Sequence, residues 1–125
     1  MTFILADTSV WADHFRSTDA VMAGWLSQKR VRMHPFVIGE LAMGGLPMRE
    51  QTLTELNAIH QARLASDEEV MRLVEAGKHY GTGLGWIDVH LLASVLITHD
   101  IMLWTRDRRL NDAAARYGRA ARLHH

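Results

Sequence analysis

A chain of 125 residues with 48% hydrophobic content fits one domain with a real core, and disorder is not its default state. It has no cysteine, which excludes a disulfide framework and a Cys-based zinc site and suits a reducing, cytoplasmic setting. Formal net charge is zero, which argues against coating nucleic acid by bulk charge. No secretory signal is expected, and the longest apolar-rich segment, Val89 to Thr98, is too short for a bilayer, so no membrane role is expected.

Phe3-Ile4-Leu5-Ala6 is an unbroken apolar run that ends at Asp7 and reads as a strand buried on both faces. Thr8 and Ser9 favour a helix start, so Asp7 falls at the carboxyl end of an inner strand and the mouth of a helix over 9–16. Ser17-Thr18-Asp19 breaks the chain before a helix over 20–28, closed by Lys29-Arg30. Val31 to His34 alternates as a short strand, and Pro35 opens a helix running from Phe36 to about Met43, stopped by Gly44-Gly45. Helices are predicted over 49–61 and from Ser66, with Glu69 completing a capping box, to about Tyr80. Ala62 to Ala65 reads as a short extended segment. The loop Gly81-Thr82-Gly83-Leu84-Gly85 lies between helices and not after a strand, so it is not a nucleotide-binding fingerprint. Ile87 to Thr98 is a strongly apolar helix, Ile101 to Trp104 a buried strand, Leu110 to Tyr117 the last helix with Gly118 as terminator, and Ala120 to Leu123 a candidate edge strand. Strands alternating with helices, without hairpin turns, predict one α/β domain over 1–125 with a small, mainly parallel sheet flanked by helices. His124-His125 carries no assigned function.

Most acids read as solvated helix charges, but four do not. Asp7 and Asp107 follow inner strands, Glu40 is the only charge from Phe36 to Met43, and Asp88 starts the most apolar helix. A carboxylate beside apolar surface is costly unless paired or bound to a cation. Each has a bland alternative: Asp7 and Asp107 as caps, Asp88 complementing a helix N-terminus, Glu40 paired with an arginine such as Arg32. If the four converge, they make an oxygen-rich pocket for a hard cation such as magnesium or manganese, suited to phosphoryl chemistry by metal-activated water. Arg106, Arg108 and Arg109 are then placed to hold substrate phosphates. Arg106 to Arg122 carries six arginines against two aspartates, which reads either as an RNA contact or as a solvated helix face.

Four blocks together, Asp7-Thr8-Ser9-Val10-Trp11, Ile38-Gly39-Glu40-Leu41, Asp88-Val89-His90-Leu91-Leu92-Ala93 and Leu103-Trp104-Thr105-Arg106-Asp107-Arg108-Arg109-Leu110, resemble the PIN-domain ribonucleases, and more narrowly the VapC toxins of bacterial toxin–antitoxin pairs. The resemblance spans Phe3 to about Gly118. It implies that Asp7, Glu40, Asp88 and Asp107 are the acidic quartet that binds metal and catalyses, with Ser9 and Thr105 as supporting hydroxyls. It further implies a Mg2+- or Mn2+-dependent endoribonuclease, a cognate VapB-type antitoxin and a homodimer. Two other readings compete. Phosphate transfer to Asp7 fits poorly, because Ser9 stands where a second aspartate is wanted and the late strand ends in Thr105-Arg106. A non-catalytic RNA-binding or protein-interaction module would use the Arg-rich end. His14, His60 and His90 read as core or boundary residues. The clusters Val21-Met22-Trp25-Leu26 and Leu41-Met43-Leu46-Met48 read as core or as a partner groove.

Overall fold

Strand β1 (Phe3–Ala6) is the centre of the sheet in the computed structural model, which describes residues 1–123. Ile4, Leu5 and Ala6 are all buried, as an unbroken apolar run on an inner strand requires. β2 (Val31–Arg32) and β3 (Ile101–Trp104) flank it, both parallel to it, in the order β2-β1-β3. Register pairs Ile4 with Val31 on one side and Phe3 with Ile101 through Ala6 with Trp104 on the other. All three strands therefore point the same way, and their carboxyl ends share one edge.

Seven helices surround the sheet among the described residues: α1 (Thr8–Arg16), α2 (Ala20–Ser27), α3 (Pro35–Ala42), α4 (Arg49–Ala58), α5 (Asp67–Gly77), α6 (Trp86–Ile97) and α7 (Arg108–Arg116). The most apolar, α6, buries every residue from Val89 to Val95, His90 and Ser94 included, and packs against β3, α5 and α7. Burial of Leu91 and Leu92 stabilises the fold by about 2 kcal/mol each. The capping box expected at Ser66 is present: its hydroxyl accepts the Glu69 N–H at 3.1 Å, and Glu69 accepts the Ser66 N–H at 2.9 Å. No helix among the described residues is long and apolar enough to cross a membrane.

Several boundaries differ from expectation for non-local reasons. The helix predicted to Gln61 ends at Ala58, because the following residues join the β2 side: Met33 N–H donates to the His60 carbonyl, and Met33 bridges to Gln61 in parallel. The strand predicted to His34 stops at Arg32, because His34 is the N-cap of α3 and its Nδ1 accepts the Phe36 N–H at 3.0 Å. The edge strand predicted over 120–123 is reduced to one parallel bridge, Leu103 with Ala120. His124 and His125 lie outside the described residues.

Candidate active site

Asp7 continues directly from β1 and is the N-cap of α1, so the capping role expected of it is present. Its Oδ1 accepts the Ser9 N–H at 3.0 Å, the Ser9 hydroxyl at 2.5 Å and the Val10 N–H at 3.3 Å. Its Oδ2 accepts the Thr105 hydroxyl at 2.5 Å. The side chain is buried, and that burial raises the Asp7 carboxyl pKa against the opposing pull of the four hydrogen bonds. An acid held this firmly has a fixed direction, which a mere cap does not need.

Thr105 follows β3 and is buried. Its Oγ1 also accepts the Asp107 N–H at 2.9 Å, so one hydroxyl ties Asp7 to the turn that carries Asp107. Asp107 in turn caps α7 by accepting the Leu110 N–H at 3.1 Å. Asp88 lies in the first turn of α6 and accepts the Gly85 N–H at 3.0 Å. Burial raises the Asp88 pKa, and the negative charges of Asp107 and Glu40 raise it further. Glu40 is exposed and accepts the Thr8 hydroxyl at 2.7 Å, from the residue next to Asp7. It does not pair with Arg32, which lies over the Phe3 ring at 4.0 Å and donates to the Lys29 and Val31 carbonyls. Three of the four acids thus sit at helix N-termini, where backbone N–H groups and the helix dipole favour negative charge. The fourth joins them through Thr8.

The donor set is oxygen only and like-charged, which in kind fits a hard divalent cation. Among the described residues, no three histidines or acids are closed around one point as a finished metal centre. Asp107 and Glu40 bear on Asp88, and a cation there would relieve that repulsion.

The three arginines assigned to phosphate differ in their surroundings. Arg108 is almost fully exposed, its nearest carboxylate being Asp112 at 3.9 Å. The Arg109 guanidinium lies against Gly83, where a Cβ would approach its Nη1 to 2.9 Å, so a side chain there would displace it. Arg106 is instead engaged by Asp13 and Asp19. The sequence marks Asp19 only as a break and cap before α2 and does not mark Asp13, and no local signal pairs either with Arg106, since they lie 87 and 93 positions away.

The chain matches the PIN domain family over residues 4–116. It belongs to the PIN-domain family. It is also 42% identical over 115 residues, 92% of this chain and 93% of the relative, to Ribonuclease VapC32 of Mycobacterium tuberculosis, in strain CDC 1551 / Oshkosh and equally in strain ATCC 25618 / H37Rv. The α/β architecture expected for a PIN domain is the one observed, with β1 central and parallel to both neighbours. His14 serves structure, its Nδ1 accepting the Asp19 N–H at 3.0 Å. His90 is buried among Phe36, Trp86 and His34. Of the apolar clusters, Met22 is fully buried core, whereas Met43 and Met48 are exposed.

Proposed function

We propose that this PIN-domain protein is the toxin of a type II toxin–antitoxin pair and acts as a metal-dependent endoribonuclease. The observation that carries the reading is the like-charged crowding at Asp88, on which Asp107 and Glu40 both press, together with an Asp7 fixed by four hydrogen bonds and tied through Thr105 to the turn that carries Asp107. Carboxylates arranged so are costly without a cation and useful with one. The 42% identity to a relative named as a ribonuclease supports the same conclusion.

In this reading Asp7 and Asp88 hold the cation, and Glu40 and Asp107 assist. Mg2+ or Mn2+, when bound, supplies the Lewis acid that lowers the pKa of the attacking water and offsets charge at phosphorus. Asp7 Oδ1 already takes three hydrogen bonds, so Oδ2, which accepts from Thr105, is the oxygen with capacity left for a ligand. Ser9 and Thr105 keep that carboxylate from rotating. Water attacks an RNA phosphodiester in line, and Arg108 and Arg109 contact flanking phosphates. A VapB-type antitoxin silences the enzyme, and the exposed Met43 and Met48 offer adaptable apolar surface for such a partner. The active form is a cytoplasmic homodimer.

The test is cleavage of an RNA panel by the purified chain with Mg2+, with Mn2+ and with EDTA. Cleavage with either metal and none with EDTA is expected. RNA binding that EDTA leaves unchanged, without cleavage at any metal concentration, would instead make the chain a non-catalytic module.

A further inference from the structure

Arg106 stands between two site residues, yet its side chain is spent elsewhere. Its Nε donates to Asp13 Oδ2 at 3.1 Å and its Nη2 to Asp19 Oδ2 at 2.9 Å, while the guanidinium lies 5.1 Å from the centre of the Trp104 ring. The Asp19 side chain is 8% exposed, and its Oδ1 caps α2 by accepting the Met22 N–H at 3.0 Å. Asp13 also pairs with Arg16. Two arginines and two aspartates therefore cancel, and a phosphate approaching Arg106 meets two carboxylates that already hold two of its five N–H donors.

The backbone of the same turn does something different. The Arg106 N–H donates to Ser9 Oγ at 2.9 Å, and the next N–H, of Asp107, donates to Thr105 Oγ1 at 2.9 Å. A hydroxyl that accepts from a fixed N–H has its own proton free to aim elsewhere. Both of these protons go to Asp7, one to each oxygen. Two successive amides of the turn from β3 to α7 thus orient both hydroxyls that grip the central acid.

We infer that Arg106 is a positioning residue: its side chain clasps the β3–α7 turn to Asp13 and Asp19, so that the turn's amides hold Ser9 and Thr105 in place on Asp7. The catalytic part of this inference rests on the ribonuclease reading, but the clasp itself can be tested without RNA. A guanidinium spans two carboxylates with separate N–H groups at fixed angles, whereas an ammonium is a single point donor, so Arg106→Lys keeps the charge and loses the span.

The experiment compares wild type, Arg106→Met, Arg106→Lys, Asp19→Asn, the Arg106→Met/Asp19→Asn double variant and the control Arg108→Gln, all as full chains. On the panel RNA that wild type cleaves with Mg2+, Arg106→Met lowers kcat about tenfold or more and leaves KM unchanged, as expected when a reacting group is misplaced. Arg106→Lys loses less, and Asp19→Asn, which can still cap α2, lowers kcat without adding to the loss in the double variant. In the absence of RNA, the amide proton resonances of Ser9 and Val10 shift in Arg106→Met and not in Arg108→Gln. Unmoved amides overturn the clasp whatever the substrate, and so does an unchanged kcat. A raised KM with the salt slope of RNA binding reduced by about 0.7 would make Arg106 a phosphate contact instead. A wild type that cuts no panel RNA counts against the ribonuclease reading, and the amide shifts then still decide the clasp. If Arg106→Met does not fold, Arg106→Lys and Asp19→Asn carry the same comparison.

Discussion

The Thr105 hydroxyl and Asp7 Oδ2 are 98 positions apart in sequence and 2.5 Å apart in the fold. That contact joins the carboxyl ends of β1 and β3 and sets the direction of the acid on which the site is built. Thr105→Val keeps the side-chain shape and removes the hydroxyl, leaving Asp7 short of a donor and the Asp107 N–H short of an acceptor. The variant is expected to lose about 1–3 kcal/mol of stability by denaturant unfolding and at least about tenfold in kcat. Thr105→Ser retains most of both. Full activity in Thr105→Val would mean that Asp7 is fixed by its α1 contacts alone.

Asp88 gives a prediction of opposite sign for stability. Its carboxyl pKa is raised, by burial first and then by Asp107 and Glu40. The folded state therefore keeps its proton to higher pH than the unfolded chain, and stability falls as pH rises from the ordinary carboxylate range through the raised folded value. Asp88→Asn can still accept the Gly85 N–H and carries no charge. In EDTA at neutral pH the variant should melt above wild type. Added Mg2+ should raise the wild-type Tm and leave that of Asp88→Asn nearly unmoved, because a ligand stabilises only the state that binds it. Thermal scans of both proteins with and without the cation check this. A variant that melts below wild type in EDTA would show that Asp88 is a structural charge.

His34 makes the fold sensitive to acid. It is buried, it caps α3 through Nδ1, and its Nε2 has no partner among the described residues. Burial, with the neighbouring His90 adding to it, lowers its pKa to about 4. The unfolded chain then binds the extra proton first, so the contribution of this histidine is lost as pH falls from about 6.5 to about 4 and is constant above that window. The loss is on the order of 3 kcal/mol. His34→Asn retains a cap and should flatten the dependence in unfolding measured across that range. An equally steep variant would assign the acid sensitivity to another group.

How much of this was readable beforehand follows from how local each feature is. The Phe3–Ala6 run, the apolar α6 and the Ser66–Glu69 capping box are written in neighbouring residues, and each formed as expected. Asp7 was readable as a strand-end acid because the strand and the helix start both announce themselves. The ends of β2 and α4 were not, because Met33 is held by His60 and Gln61, which belong to a different segment. Arg106 was read with the free cations of its stretch, since the aspartates that neutralise it lie on α1 and at the start of α2. The Thr105–Asp7 contact had the same origin: residue types marked both partners, and only the pairing of β1 with β3 brings them together.

Asp7 is proposed as a working member of the site and not only as the cap of α1. Asp7→Asn tests it most directly, because asparagine retains an oxygen for the Ser9 and Val10 N–H groups and so preserves the cap. The measurement is Mg2+-dependent cleavage of the RNA that wild type cuts, at matched protein concentration, with circular dichroism confirming the fold. A folded protein with no detectable cleavage is expected. A folded Asp7→Asn that cleaves at the wild-type rate would leave Asp7 as a cap only.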